Sequence, residues 1–166
     1  MNVLSIIMNT PLDVRPPINR KVLHASITAE QISDLVDEFY INVLNDERLG
    51  PIFMPRIQGN LGAHKNKMKA FWRSVLLKTG EYKGQPVPVH NKIDGINIDD
   101  FQKWLELFAQ TALKIFDKEA ALLVINAAKR IASSLWLARN NDPFVSPPDW
   151  QLSLIANEPL KPKKVR

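Results

Sequence analysis

Cysteine is absent from this 166-residue chain. That excludes disulfides and a thioether-linked cofactor, and it fits a reducing compartment. Glycine is sparse, with six in all, and none builds a phosphate-cradling loop or a Gly-x-Ser-x-Gly elbow. No repeat unit recurs. No carboxylate stands at ligand spacing from a histidine, so a zinc or di-iron site would have too few protein ligands. The opening MNVLSIIMNTPLDV has no basic flank, and its apolar run is too short for export or for spanning a bilayer. The expectation is a cytoplasmic protein without membrane insertion.

Charge is also scarce where it would matter for a nucleic-acid partner. The formal net charge is +5, but the excess lies at the ends. Residues 1–25 set Arg15, Arg20 and Lys21 against Asp13, and residues 160–166 add Lys161, Lys163, Lys164 and Arg166. The body between them is nearly neutral. Basic ends on a neutral body read as solvated tails, so no nucleic-acid partner is expected.

Apolar residues make up 45% of the chain, ample for one domain with a core. Residues 1–25, with Pro11, Pro16 and Pro17, show no period and read as an N-terminal extension. Thr28-Ala-Glu-Gln31 reads as a capping box. Behind it Ile32, Leu35, Val36, Phe39, Tyr40, Val43 and Leu44 repeat at helical spacing to about Glu47. Gly50-Pro51 reads as a break, with Ile52-Phe53-Met54 a short apolar plug before Pro55. A second helix is expected over 60–79. A third begins at Asn97 or Asp99 and carries Phe101, Trp104, Leu105, Phe108, Ala112 and Ile115 on one stripe. Asp117 is the expected cap of a fourth helix that runs to about Arg139 and is nearly all apolar over 120–125. The domain therefore spans 26–140. Residues 141–166 form a C-terminal extension in which Asp149 could cap a short helix over 150–156 that docks on the body.

The rest is organised around residues 62–91. His64, Met68, Phe71, Trp72, Val75 and Leu76 fall on one helical stripe, with Lys65, Lys69, Arg73 and Lys78 on the polar face. After Gly80 the pattern stops. Gly84, Pro86 and Pro88 forbid a long helix, which puts His90 on at most about one turn beginning after Pro88. An imidazole on an apolar face is most often a hydrogen-bonded core residue. A single histidine facing a large apolar slot is also a common way to hold a haem iron. Tyr40 and Trp104 pose the same choice. Each lies on a buried stripe, and each has a polar hydrogen that needs a partner.

Taken together, Phe39-Tyr40, Leu49-Gly50-Pro51-Ile52-Phe53, His64-Lys65-x-Lys67-Met68, Phe71-Trp72, Gly80-x-Tyr82-x-Gly84-x-Pro86, His90 and Trp104-Leu105-x-Leu107-Phe108 resemble a group III truncated haemoglobin. The match covers about 27–139. Groups I and II of that family carry glycine pairs after the first and third of these helices, and this chain has none. The resemblance implies an all-α truncated globin fold, with two antiparallel helix pairs around haem b (iron protoporphyrin IX) and the proximal helix reduced to a short turn.

The same resemblance implies roles. His90 would be the proximal iron ligand, its other N–H anchored by a backbone carbonyl. Tyr40, His64, Met68 and Trp104 would line the distal side, with Tyr40 and Trp104 donating hydrogen bonds to bound O2. Phe53, Phe71 and Trp72 would supply apolar walls, and Lys67 would meet a haem propionate. The implied partners are O2 and other diatomic gases (NO, CO). Two activities follow from such a site. One is reversible ligand binding; the other is NO dioxygenation or peroxide chemistry, which would need an external reductase.

Overall fold

Thr28 starts the first helix. Its hydroxyl accepts from the Gln31 N–H at 3.2 Å, and Gln31 Oε1 accepts from the Thr28 N–H at 3.0 Å. That is the capping box expected from the residues, and helix α1 follows as Ala29–Asn45. The computed structural model describes residues 21–140, 142 and 144–153. Among them are five further helices and no strand: α2 Leu49–Ile57, α3 Leu61–Leu76, α4 Pro86–Asn91, α5 Ile98–Ile115 and α6 Lys118–Asn140.

Two expectations fail at prolines, for one reason. Gly50-Pro51 does not interrupt the chain but lies in the first turn of α2, and Ile52-Phe53-Met54 is the middle of that helix. Likewise α4 begins at Pro86, before Pro88 and not after it. A proline in the first turn loses no hydrogen bond, because those N–H groups have no partner inside the helix anyway. Gly50 has its own reason to be there. A Cβ at this position would come within 2.6 Å of the Leu44 carbonyl oxygen, so α2 can start against the end of α1 only through glycine. Helix α3 ends at Leu76, short of the expected 79, and the backbone then turns through positive φ at Lys78 and Gly80.

Helix α1 packs on α3 and on α5, and α5 on α6. Tyr40 meets His64 while Asp37 meets Lys69, and Phe101 at the start of α5 meets Trp136 near the end of α6, so both pairs run antiparallel. Asn97 and Asp100 form a second capping box at the start of α5. Asp100 is only 3% exposed, and it accepts two bonds from Arg48, at 2.6 and 2.8 Å. Arg48 also donates to the Gly95 carbonyl at 3.1 Å. One guanidinium thus ties the α1–α2 junction to the start of α5 and holds the Asp100 carboxyl below the usual carboxylate range. Asp117 caps α6 as expected, accepting from the Ala120 N–H at 3.0 Å. Helix α6 is long and apolar enough to cross a bilayer. Its alanines 120, 121, 127, 128 and 132 are buried against the other helices instead.

Phe108 is the centre of the core. Its ring stacks between Trp72 (4.8 Å, 27°) and Trp104 (5.4 Å, 11°) and meets the edge of Phe39 at 5.4 Å. Alanine here would remove a fully buried ring and leave its neighbours across a void, a loss of about 3–5 kcal/mol. Urea unfolding of the cofactor-free chain should show that loss in the midpoint. A loss below about 1 kcal/mol would mean that the stack can collapse onto the gap.

Both ends of the described chain join the body. The Leu23 N–H donates to the Leu76 carbonyl at 2.9 Å. Trp150 is 3% exposed and Leu152 4%. Trp150 stacks on Phe101 at 6.1 Å and donates its indole N–H to Ser133 Oγ at 2.9 Å. Docking of this segment was expected. Residues 150–152 dock without being helical, and 154–156 lie outside the described residues.

Candidate functional site

A cavity of about 430 Å³ opens between α1, α2, α3, α4 and α5, floored by α6, within the range of roughly 300–1,000 Å³ usual for small-molecule sites. It collects every residue singled out from the sequence. Tyr40 comes from α1, Phe53 from α2, and His64, Lys67, Met68, Phe71 and Trp72 from α3. His90 comes from α4 and Trp104 from α5. The walls are mainly apolar, as the helical stripes require.

His90 is half-buried on α4. Its Nδ1 lies 2.7 Å from the Pro86 carbonyl oxygen. A carbonyl only accepts, so Nδ1 carries the hydrogen, and in the neutral imidazole Nε2 is then the nitrogen with the free lone pair on a ring that lines the cavity. Pro86 is four residues earlier, so this is the ordinary reach of one helical turn.

On the other side of the helix pair, His64 Nε2 lies 2.8 Å from the Tyr40 hydroxyl, with the two rings nearly perpendicular at 5.0 Å. Burial first, then Lys67 and His90, push the His64 pKa down, so the imidazole is neutral at neutral pH. Burial pushes the Tyr40 phenol up, so it keeps its proton. Two arrangements share that contact. With the imidazole hydrogen on Nδ1, Tyr40 donates to Nε2. With it on Nε2, the imidazole donates to the phenol oxygen, and the phenol O–H is released to the cavity. The Trp104 indole N–H has no protein acceptor among the described residues, yet the ring lines the same cavity.

The rim is cationic. Lys65 and Lys69 on α3 are tied to Asp37 on α1 at 2.8 and 2.7 Å, and Arg73 to Glu81. Lys67 has no carboxylate partner among the described residues, and neither do the other exposed cations of the rim, Arg56 and Lys92.

Several lining residues were not singled out from the sequence. Arg56 and Lys92 sit at the ends of two short helices, where no periodicity orients a side chain. Tyr82 lies in the irregular segment between α3 and α4, packed edge-on to Phe71 at 5.1 Å and folded over Gly84. Only its place in the Gly-x-Tyr-x-Gly-x-Pro string marked it. Among the described residues, no three of His, Cys, Asp and Glu are grouped to hold a metal ion by themselves. The donor set fits a planar, largely apolar cofactor that brings its own metal: one bare imidazole nitrogen, one unpartnered indole N–H, apolar walls and a cationic rim.

No protein-family model matches the chain. Group 3 truncated hemoglobin ctb of Campylobacter jejuni is 33% identical over 111 residues, which cover 65% of this chain and 87% of that protein. The crystal structure of a group III truncated hemoglobin from Campylobacter jejuni superposes with a TM-score of 0.65 at 29% identity, over 76% of this chain and 99% of that one. At that identity, over nearly the whole of its relative, the chain is a member of the group III truncated haemoglobin family.

Proposed function

We propose that the chain holds haem b in the cavity, with His90 Nε2 as the iron ligand, and binds O2 and other diatomic gases there. The observation that carries this is the His90–Pro86 bond. It fixes the tautomer that a haem ligand needs and raises the basicity of the free nitrogen. Haem, when bound, supplies a ferrous iron with an open position for O2, NO or CO.

The chain's own residues do the rest. Phe53, Phe71 and Trp72 exclude water from the slot. Lys67, with Arg56 and Lys92, would meet the two propionates at the rim. Trp104 offers its indole N–H to a ligand in the cavity, and Tyr40 offers its O–H whenever His64 carries its hydrogen on Nε2. His64 thus acts on the ligand through Tyr40 and not as a second iron ligand. It is placed one turn into α3, half-buried, where rotation toward solvent would open a way in.

The test is the ferrous, ligand-free absorption spectrum of the haem-loaded chain. A mainly five-coordinate spectrum is expected, and His64→Ala should change the rate of ligand entry more than ligand retention. Sharp low-spin α and β bands that vanish in His64→Ala would instead show an iron held by both histidines. Mixing the oxygenated chain with NO under a reducing system separates carrier from enzyme: one turnover marks a binder, and sustained NO consumption marks a dioxygenase fed by an external reductant.

A further inference from the structure

Helix α4 has six residues, too few to hold its place by its own hydrogen bonds. It is entered and left through irregular segments, and its main packing partner is α6. Its final carbonyls have no acceptor role inside the helix, as at any helix end. Two carbonyls at this end are claimed from the far side of the fold. Arg139 Nη1 donates to the Ile93 carbonyl at 2.8 Å and to the His90 carbonyl at 3.3 Å, across 46 and 49 residues of chain. The Ile93 N–H closes the same turn onto the His90 carbonyl at 3.1 Å.

We propose that Arg139 is the positioning residue for His90. The histidine is held at two points that do different things. The Nδ1–Pro86 bond sets the rotation of the ring within α4. The guanidinium sets where the His90 backbone, and so α4 as a unit, stands relative to α6. Leu135, one turn before Arg139, lines the cavity itself, so α6 passes its own register in the pocket wall on to the helix that carries the imidazole. A fixed cation at a helix C-terminus also complements the partial negative charge there. Its bonds to the carbonyls are of the stronger, charge-assisted kind.

This inference rests on the reading of His90 as the iron ligand, and the experiment separates the two. Resonance Raman spectra of the ferrous, ligand-free, haem-loaded chain report the iron–histidine stretching band, which depends on how the imidazole is held. Arg139→Ala should shift and broaden that band, and should speed haem loss to a scavenger by roughly tenfold, as for other residues that orient a ligand from behind. Arg139→Lys, which keeps the cation on a different, non-planar head group, should fall between. Arg130→Ala, which removes an exposed cation from the same helix, should leave the band unchanged.

A band unmoved in position and width in Arg139→Ala would overturn the positioning role, even if the melting temperature fell. An equal shift in Arg130→Ala would overturn it too, by making the effect one of general charge. Absence of any iron–histidine band in the wild type would instead remove the haem-ligand reading itself.

Discussion

Replacing His90 with alanine should abolish stable haem binding while leaving the helical content of the chain intact. The side chain is half-buried on a short helix, and its loss removes no large part of the core. Among the described residues it removes the only imidazole with a nitrogen already anchored to a backbone carbonyl, Nδ1 on Pro86 at 2.7 Å. His64 cannot take over without breaking its 2.8 Å contact with Tyr40 and pulling α3 away from a stack of tightly packed rings. Gel filtration of haem-loaded His90→Ala should therefore strip the Soret band, and added imidazole should restore one by filling the vacated space. The parallel His64→Ala variant should keep its haem. If the two variants behave the other way round, the proximal and distal assignments are exchanged.

The second large effect is expected in oxygen release. A hydrogen bond to a partner that carries charge contributes about 1.5–3 kcal/mol, which corresponds to roughly 10- to 150-fold in an equilibrium constant. Trp104 has an indole N–H with no protein acceptor among the described residues, so its whole strength is available to a polarised ligand. Tyr40 must share its hydroxyl with His64. Trp104→Phe is therefore expected to accelerate oxygen dissociation at least as much as Tyr40→Phe, each by roughly 10-fold or more. Carbon monoxide, a poorer acceptor, should respond much less in the same variants. Stopped-flow displacement of oxygen measures both. Fast release by the wild type, unchanged in either variant, would remove hydrogen bonding as the source of retention.

Much of this site can be read from spacing alone because it is built from helix stripes. The residues that put Tyr40 on one stripe, His64 and Met68 on another and Trp104 on a third are the same that make those helices amphipathic. Folding three such faces together makes one cavity. The caps at Thr28 and Asp117 were equally legible, since each joins a side chain to an N–H three residues on, whereas at α5 the residues left Asn97 and Asp99 open and the structure selects Asn97. The short helices were harder. Proline is a breaker inside a helix and a starter in its first turn, and only tertiary packing decides which role Pro51 and Pro86 take. Polar ties over long sequence separations left no periodic trace at all. Nothing near Arg48 announces Asp100, and nothing near Arg139 announces His90.

The seat of Trp150 has a consequence in the order in which the molecule is made. Phe101 forms part of the cavity wall, and its outer face is covered by Trp150 and its edge by Trp136. A ribosome adds about 5–20 residues each second, so α6 is finished up to a second or two before Trp150 exists. Every residue that touches the cavity is therefore synthesised before the Trp150 brace on Phe101 is. A chain ending just past Asn140 would keep every lining residue in a softer frame. The pocket wall and its outer brace are thus separable along the sequence, with Trp150 as a latch added after the last lining residue.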